Sequence, residues 1–198
     1  MIDWEEQWRE FAPQFHDGLA HIDLGRFGGP IFCLKPGGGF GDYSHPTTRL
    51  VIGLMACKVK GATVFDIGCG SGILSIAAAL LGAKRVYGVD IDDEAIRHSK
   101  ENAVLNKVQG KVGFSKELDA AWANPKRGPF VILMNMIESE QQIAWGSVPQ
   151  LHNLKSTVIT SGLLTAHKER YLKQASSWSW AVKEEAEEGG WSGFMFEQ

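Results

Sequence analysis

From residue 62 onward, short apolar runs alternate with helical patterns of apolar residues. Thr63 to Ile67 is rich in β-branched and aromatic residues and predicts a strand, whereas Ile73 to Leu81 carries apolar residues at helical spacing. Gly82 suits the left-handed position that ends many helices. Arg85 to Asp90 predicts the next strand. Strands that alternate with helices are typical of a doubly wound parallel sheet.

The alternation continues to the end of the chain. Further helices are predicted over Thr47 to Lys58, Asp92 to Asn106, Glu138 to about Pro149 and Thr165 to Ser176. Further strands are predicted over Val112 to Phe114, Phe130 to Met134, Thr157 to Ser161, Trp178 to Val182 and Trp191 to Phe196. We expect the last two strands to be joined by a polar loop that contains the acidic residues Glu184 to Glu188.

The first forty residues carry a different pattern. A short amphipathic helix is predicted from three aromatic residues on one face, Trp4, Trp8 and Phe11. Ala20 to Leu24 and Ile31 to Leu34 predict a pair of strands, and Pro36 to Gly41 predicts a flexible connector. We therefore expect an N-terminal extension over residues 1–39 and the main domain over residues 40–198.

Composition narrows the class of protein. With 198 residues, of which 44% are hydrophobic, the chain can bury a substantial core. A net charge of -3 provides no broad basic surface for a nucleic acid. Three cysteines without C-x-x-C spacing argue against a disulfide framework and against a metal site. The acidic N-terminus and the absence of any apolar window as long as a membrane span predict a cytoplasmic protein without a membrane partner.

The strongest chemical signal lies where the first strand of the alternating region ends. Asp66 is followed by a turn with glycines at positions 68, 70 and 72, and the next strand ends in Asp90 and Ile91. A strand, a tight turn and a helix place a ligand at the carboxyl edge of a parallel sheet. Glycines let the backbone approach that ligand closely. The carboxylate of Asp90 would accept hydrogen bonds from both hydroxyls of a ribose.

Two cofactor classes compete for this turn. Nicotinamide and flavin sites use G-x-G-x-x-G, but here Gly72 comes one residue early and Ile73 takes the third glycine's place. The carboxylate of Asp66 would repel a pyrophosphate, whereas it suits a ligand that carries an ammonium and a sulfonium. The turn therefore favours S-adenosylmethionine over a dinucleotide.

Six segments then carry a family resemblance. They are Phe40 to Thr48, Asp66 to Leu74, Gly88 to Asp92, Glu101 to Ala103, Asn135 to Ile137 and Ser161 to Leu164. In this order they resemble the motifs of the bacterial methyltransferases that modify protein eleven of the large ribosomal subunit. The resemblance covers most of residues 40–198. It implies a class I methyltransferase with a Rossmann-like, seven-stranded, mostly parallel sheet whose last strands are antiparallel.

The resemblance also implies that Thr48, Gly68, Asp90 and Asn135 contact the cofactor, and residues of the turn and the preceding loop, together with Ile91, add the rest of the predicted set. The predicted cofactor-binding residues are Ser44, Thr48, Asp66, Gly68, Gly70, Gly72, Asp90, Ile91 and Asn135. Asn135 is also the predicted catalytic residue, because its side-chain carbonyl can accept a hydrogen bond from an amine of the cofactor or the substrate. No residue stands out as a general base, and Asp42, Tyr43, His45 and Glu138 are candidates by position only.

These expectations predict an enzyme that transfers a methyl group to an amino group of a protein. A ribosomal protein is one possible substrate. Two alternatives stay open. The family's ribosomal-protein enzymes carry a separate recognition domain, but only 39 residues precede Phe40, so the acceptor could be a small molecule. The chain could instead be a noncatalytic, cofactor-binding partner subunit that docks through the aromatic face of its first helix.

Departures from the family motifs leave the acceptor open. Asp42 and Tyr43 replace a small Thr-Gly pair that is usual in the loop, and a charged segment from Glu138 to Glu140 follows Asn135. Thr47, in the same loop, is expected to cap the following helix.

Overall fold

The computed structural model describes residues 4–12, 14–119, 121 and 128–198. Its helices are α1 (Trp4–Phe11), α2 (Pro46–Met55), α3 (Ile73–Leu80), α4 (Asp93–Leu105), α5 (Glu138–Gly146) and α6 (Lys168–Ser177). Its strands are β1 (Phe15–His16), β2 (Leu19–Asp23), β3 (Ile31–Leu34), β4 (Thr63–Ile67), β5 (Arg85–Val89), β6 (Val112–Ser115), β7 (Phe130–Asn135), β8 (Ser156–Leu164), β9 (Ala181–Glu188) and β10 (Trp191–Glu197).

Seven strands form the main sheet in the order β6-β5-β4-β7-β8-β10-β9. Neighbouring strands from β6 to β8 are parallel, and β10 is antiparallel to both β8 and β9. This arrangement confirms the predicted fold class. Strands β1, β2 and β3 form a separate antiparallel sheet, of which the two-residue strand β1 was not predicted.

Burial on both faces explains why β4 and β7 lie at the centre of the main sheet. All five residues of β4 are buried, and so are the first five of β7. Such strands lack a polar face and need helices on both sides. Ile67 pairs with Val89 and with Met134, so the three parallel strands end at one level. The glycine turn, Asp90 and Asn135 are thereby brought to the same edge.

The predicted polar loop between the last two strands is wrong. The acidic run belongs to β9, and only Gly189 and Gly190 connect it to β10. Its carboxylates form ion pairs within the protein, Glu188 with Arg49 and Glu185 with Lys168. Strand β9 ends the order of the main sheet, and charged side chains on such an edge discourage pairing with another chain.

The small N-terminal sheet shares a hydrophobic core with the main domain. Buried Ile22 and Phe32 belong to the same cluster as Val51 of α2 and Ile76 of α3. On the aromatic face proposed for docking a partner, Trp8 of α1 is only 5% exposed and packs inward, whereas Phe11 is 58% exposed. Within the described ranges, none of the helices combines the length and the apolar character that a membrane span requires.

A polar stripe on α4 connects this sheet to the glycine turn. The stripe consists of His98, Asn102 and Asn106, which lie one helical turn apart on one face. Asn106 accepts from the backbone N–H of Cys33 at 2.9 Å and donates to its carbonyl at 2.6 Å. Asn102 accepts from the N–H of Lys35 and donates to the carbonyl of Ser71, at 2.9 and 3.0 Å.

Replacement of Asn102 by alanine should lower the free energy of unfolding by about 2 to 4 kcal/mol, because it leaves two backbone groups without partners where Asn102 is fully buried. Urea denaturation measures the change. Lys100→Ala, at an exposed position of the same helix, is the control and should shift stability by about 0.5 kcal/mol at most. Equal midpoints for the two variants would exclude the connecting role of Asn102.

Candidate active site

A cleft of about 690 Å³ opens at the carboxyl ends of the parallel strands. Four chain segments contribute to its walls: residues 38–40, the glycine turn, residues 89–92 after β5 and residues 135–137 after β7. This edge is where open α/β sheets bind ligands. Helix α5 and Trp191 of β10 also line the cleft, and so do further residues that include His45, Thr47, Ala95, Lys116 and Gly162.

The backbone N–H groups of the glycine turn are all engaged within the protein. The N–H groups of Gly68 and Cys69 both donate to the carbonyl of Val89, and the N–H of Gly70 donates to Asp90. The N–H of Ser71 donates to the carbonyl of Phe40, and the N–H of Gly72 donates to the carbonyl of Cys69. All five distances are 2.8 to 3.0 Å. Dinucleotide sites use free N–H groups at this position to bind a pyrophosphate. The turn therefore presents no row of donors to a phosphate.

Asp90 is oriented by two backbone donors. Its Oδ2 accepts from the N–H of Gly70 at 2.9 Å, and its Oδ1 accepts from the N–H of Asp92 at 3.1 Å. A carboxylate oxygen has more than one lone pair, so each oxygen can accept a further hydrogen bond. Because Asp90 lines the cleft, those free sites are available to a ligand's hydroxyl groups.

Asn135 presents an unused acceptor. Its Nδ2 donates to Oγ1 of Thr48 at 3.3 Å, whereas its Oδ1 is buried and has no partner among the described residues. A buried polar atom without a partner is costly, and a ligand that donates to it removes the cost. Thr48 is fully buried and does not line the cleft, so it contacts the site through Asn135.

The predicted connector forms one wall of the cleft. Residues 35–41, here called the strap, run from β3 across the glycine turn. A Cβ atom on Gly39 would lie 2.7 Å from the carbonyl carbon of Gly70, and one on Gly70 would lie 2.5 Å from the carbonyl oxygen of Phe40. The two backbones are therefore in direct contact. Ser71 adds a hydrogen bond of 2.6 Å from its hydroxyl to the carbonyl of Gly41.

Five of the nine predicted cofactor-binding residues line the cleft: Gly68, Gly70, Asp90, Ile91 and Asn135. The structure places the other four, Ser44, Thr48, Asp66 and Gly72, outside its lining. The Ser44 hydroxyl donates to Asp42 at 2.5 Å. Gly72, with a φ of 82°, faces Ser99 and Phe114, so its role in the structure is a left-handed turn and close packing.

Asp66 lies beneath the glycine turn and is fully buried. Ser75 donates to its Oδ2 at 2.7 Å, and its Oδ1 has no partner among the described residues. The pKa of this carboxyl is raised to about 7, mainly because the group is buried. The hydrogen bond from Ser75 lowers the pKa, and the negative charge of Asp90 contributes to raising it. A carboxyl in this state can be neutral near neutral pH.

The loop before α2 is fixed by His45 and Arg49. His45 caps the helix by accepting from the N–H of Thr47 at 3.4 Å, so the prediction that Thr47 is the cap is wrong. The hydroxyl of Thr47 instead lies 2.8 Å from the same ring nitrogen. Arg49 donates to the carbonyls of Tyr43 and Ser44, which fixes the loop against α2.

Of the four candidate bases, only His45 lines the cleft. Burial and the charge of Arg49 lower its pKa, against the charge of Asp42. Asp42 accepts from Ser44, and Glu138 forms an ion pair with Arg170. Tyr43 is partly buried against the core, at a φ of 73° that a glycine would adopt with less strain.

Several cleft residues were not found from the sequence: Gly38, Gly39, Phe40, Met136 and Trp191. The glycines of the strap can be recognised in the sequence, but the contact that they make with the glycine turn could not be predicted from it. Behind Met136, the buried side chain of Gln141 donates to the carbonyls of Met136 and Ser161, both at 2.8 Å. Gly162, with a φ of 98°, leaves room for the backbone of Met136, since a Cβ atom at position 162 would lie 2.1 Å from the carbonyl oxygen of Met136.

Comparison with known proteins identifies a family. The family model for ribosomal protein L11 methyltransferase (PrmA) matches residues 30–198. A relative from Synechococcus elongatus with that name is 32% identical, over 96% of this chain and 67% of its own length. One from Thiobacillus denitrificans is 38% identical, over 80% of this chain and 51% of its own length. The crystal structure of a ribosomal protein L11 methylase from Lactobacillus delbrueckii subsp. bulgaricus is similar at 32% identity, with a TM-score of 0.66 and 82% of each chain covered.

Asp66 should make stability depend on pH. Because folding raises its pKa from an ordinary 3.8 to about 7, the folded state keeps a proton that the unfolded state loses, and this group's contribution to stability falls as pH rises from about 4 to 7. Asp66→Asn removes this slope, so its stability relative to the parent should rise by about 1.4 kcal/mol per pH unit within that window. Urea denaturation at pH 5 and pH 8 tests it. Glu10→Gln, at an exposed position, is the control, and a relative stability of Asp66→Asn that is the same at both pH values would contradict the prediction.

Proposed function

Because the chain belongs to the ribosomal protein L11 methyltransferase family, we propose that it transfers a methyl group from S-adenosylmethionine to amino groups of a ribosomal protein. Membership in this family confirms the predicted class of enzyme, an S-adenosylmethionine-dependent methyltransferase. The observation that carries the proposal is the chemistry of the cleft. Its turn N–H groups are engaged, and it offers oxygen acceptors, which suit a ligand with hydroxyls and positive charge.

The residues present fit that methyl donor. Asp90 would accept from its ribose hydroxyls, and the unpartnered Oδ1 of Asn135 would accept from an ammonium group. Among the described residues of the lining, the carboxylates of Asp90, Asp92 and Glu140 outnumber the single cation, Lys116. When bound, S-adenosylmethionine supplies a methyl group on a good leaving group. Asp66 and Thr48 support the site from outside the lining.

The protein's main contribution is alignment and desolvation. Positioning of an acceptor against the reacting carbon supplies a large share of the acceleration in such reactions. The cleft is lined by Met136, Ile137 and Ile143, and an apolar environment lowers the pKa of an amine so that it arrives neutral. A neutral amine needs no base before it attacks, and it loses a proton to solvent after methylation. This agrees with the engagement of His45 in capping α2.

A second cavity supports a polypeptide acceptor. It has a volume of about 420 Å³ and adjoins the cleft through Ile137, Gly162 and Trp191. Gln142 and Gln174 are part of its lining, and amide side chains both donate to and accept from a peptide backbone. A neighbouring cavity of this kind suits the residues that flank a methylated side chain. A ribosomal protein as substrate implies a cytoplasmic enzyme.

We also propose that the donor-binding unit begins before residue 40. Gly38 and Gly39 line the cleft, and the polar stripe of α4 fixes Lys35 and Cys33 of the preceding segment. The family match from residue 30 supports this extent.

Asn135→Ala should lower methyl transfer by about 10-fold to 1000-fold, since it removes the acceptor that orients an amine in the cleft. The measurement follows labelled methyl from S-adenosylmethionine into purified ribosomal protein L11 and, separately, into a small-molecule fraction. Asn153→Ala, at an exposed position, is the matched control. Unchanged transfer by Asn135→Ala would remove Asn135 from the mechanism. Transfer only into small molecules would refute the protein acceptor.

Asp90→Ala should weaken binding of S-adenosylhomocysteine by about 10-fold to 100-fold, because two hydrogen bonds to the ribose are lost. Calorimetric titration gives the affinity. Asp93→Ala, on the exposed first turn of α4, is the control and should bind as the parent does. Equal affinities for the Asp90 variant and the parent would contradict the assigned role.

A further inference from the structure

His98 contacts the strap on the side away from the cleft. The ring is buried, and it makes two hydrogen bonds to the backbone of the strap. Its Nδ1 accepts from the N–H of Gly39 at 3.2 Å, and its Nε2 lies 2.7 Å from the carbonyl of Lys35. One side chain therefore fixes both the start of the strap and the residue that touches the glycine turn.

The ring is closely packed. A Cβ atom on Gly37 would lie 2.6 Å from Nε2 of His98. The indole of Trp8 meets the ring edge to face, with centroids 5.9 Å apart. Helix α1, the strap and α4 thus converge on His98.

The hydrogen bonds require a neutral imidazole. With the proton on Nε2, the ring donates to Lys35 and leaves Nδ1 free to accept from Gly39. Protonation would set an N–H at Nδ1 against the N–H of Gly39. The charged groups that act on the ring belong to α4: Glu94 and Glu101 favour its protonation, and Arg97 disfavours it. Trp8 of α1 adds no charge.

We propose that His98 is a positioning residue for donor binding, which holds the strap against the glycine turn while it is neutral and releases it when it gains a proton. The proposal rests on the function proposed above, since it concerns the same donor cleft. Gly38, Gly39 and Phe40 of the strap line that cleft, so donor affinity falls with the fraction of molecules whose strap is in place. Burial, opposed by the carbonyl of Lys35, lowers the pKa of His98, and the release therefore belongs to acidic conditions.

Three substitutions separate the two hydrogen bonds. In His98→Asn, the side-chain oxygen takes the place of Nδ1 and keeps the bond to Gly39, without a group that gains a proton. In His98→Gln, the amide nitrogen reaches toward the position of Nε2, so the bond to Lys35 is kept and that to Gly39 is lost. His98→Ala loses both.

Calorimetric titration with S-adenosylhomocysteine at pH 5.5 and pH 7.5 tests the proposal. The parent should bind more weakly at pH 5.5 than at pH 7.5. His98→Asn should keep most of the parent's affinity at pH 7.5 and lose at least half of the parent's pH dependence. At pH 7.5, His98→Gln and His98→Ala should bind at least five times more weakly than the parent. Asp66 also titrates in this range, but it is present in all four proteins, so the difference between them reports on His98. The same pH dependence in His98→Asn as in the parent, or parental affinity in His98→Gln and His98→Ala, would overturn the proposal.

Hydrogen exchange of the Gly39 amide provides a readout without ligand. Its protection should fall at acidic pH in the parent, relative to that of Ile76 in α3, and should not fall in His98→Asn. An equal fall in both proteins would refute the role of His98 even if no ligand binds. If the parent binds no S-adenosylhomocysteine at pH 5.5 and none at pH 7.5, the proposed function itself is refuted.

Discussion

The shape of the cleft at the glycine turn depends on the contact of two backbones. Gly39 of the strap lies directly on Gly70 of the turn, and a Cβ atom on either residue would overlap the other segment. Side chains at these positions would separate the strap from the turn and change the wall of the cleft. At this contact the N–H of Ser71 donates to the carbonyl of Phe40 in the strap, although a phosphate-binding turn would leave that donor free. A steric requirement for glycine thus also determines which class of ligand the turn suits.

Helix α4 keeps this contact in place. Its polar stripe, His98, Asn102 and Asn106, makes hydrogen bonds to the strap, the glycine turn and β3. These backbone groups lie outside regular structure or on the outer edge of β3, so they need side-chain partners when buried. The stripe supplies them and connects the N-terminal sheet to the edge where β4, β5 and β7 end. The lining of the cleft therefore comes from residues on both sides of position 40.

Much of the fold followed from local sequence patterns. Strand β4 and helix α3 were predicted because an apolar run, glycines and a helical period follow one another without ambiguity. Asp90 was predicted as a site residue because it follows a predicted strand of a parallel sheet, Asn135 was predicted from the family resemblance, and both line the cleft. Only the start of strand β9 was predicted, because its charged residues resemble a loop and only pairing with β10 makes them part of a strand. His98 and Trp191 were missed for a related reason: their partners are remote in sequence, and no local pattern records such contacts.

We infer that the cleft beside the glycine contact takes S-adenosylmethionine and excludes a dinucleotide. Parallel calorimetric titrations of the unmodified chain with S-adenosylhomocysteine and with a nicotinamide dinucleotide test it most directly. We expect saturable binding of S-adenosylhomocysteine at one site and no binding of the dinucleotide. Binding of the dinucleotide without binding of S-adenosylhomocysteine would contradict it.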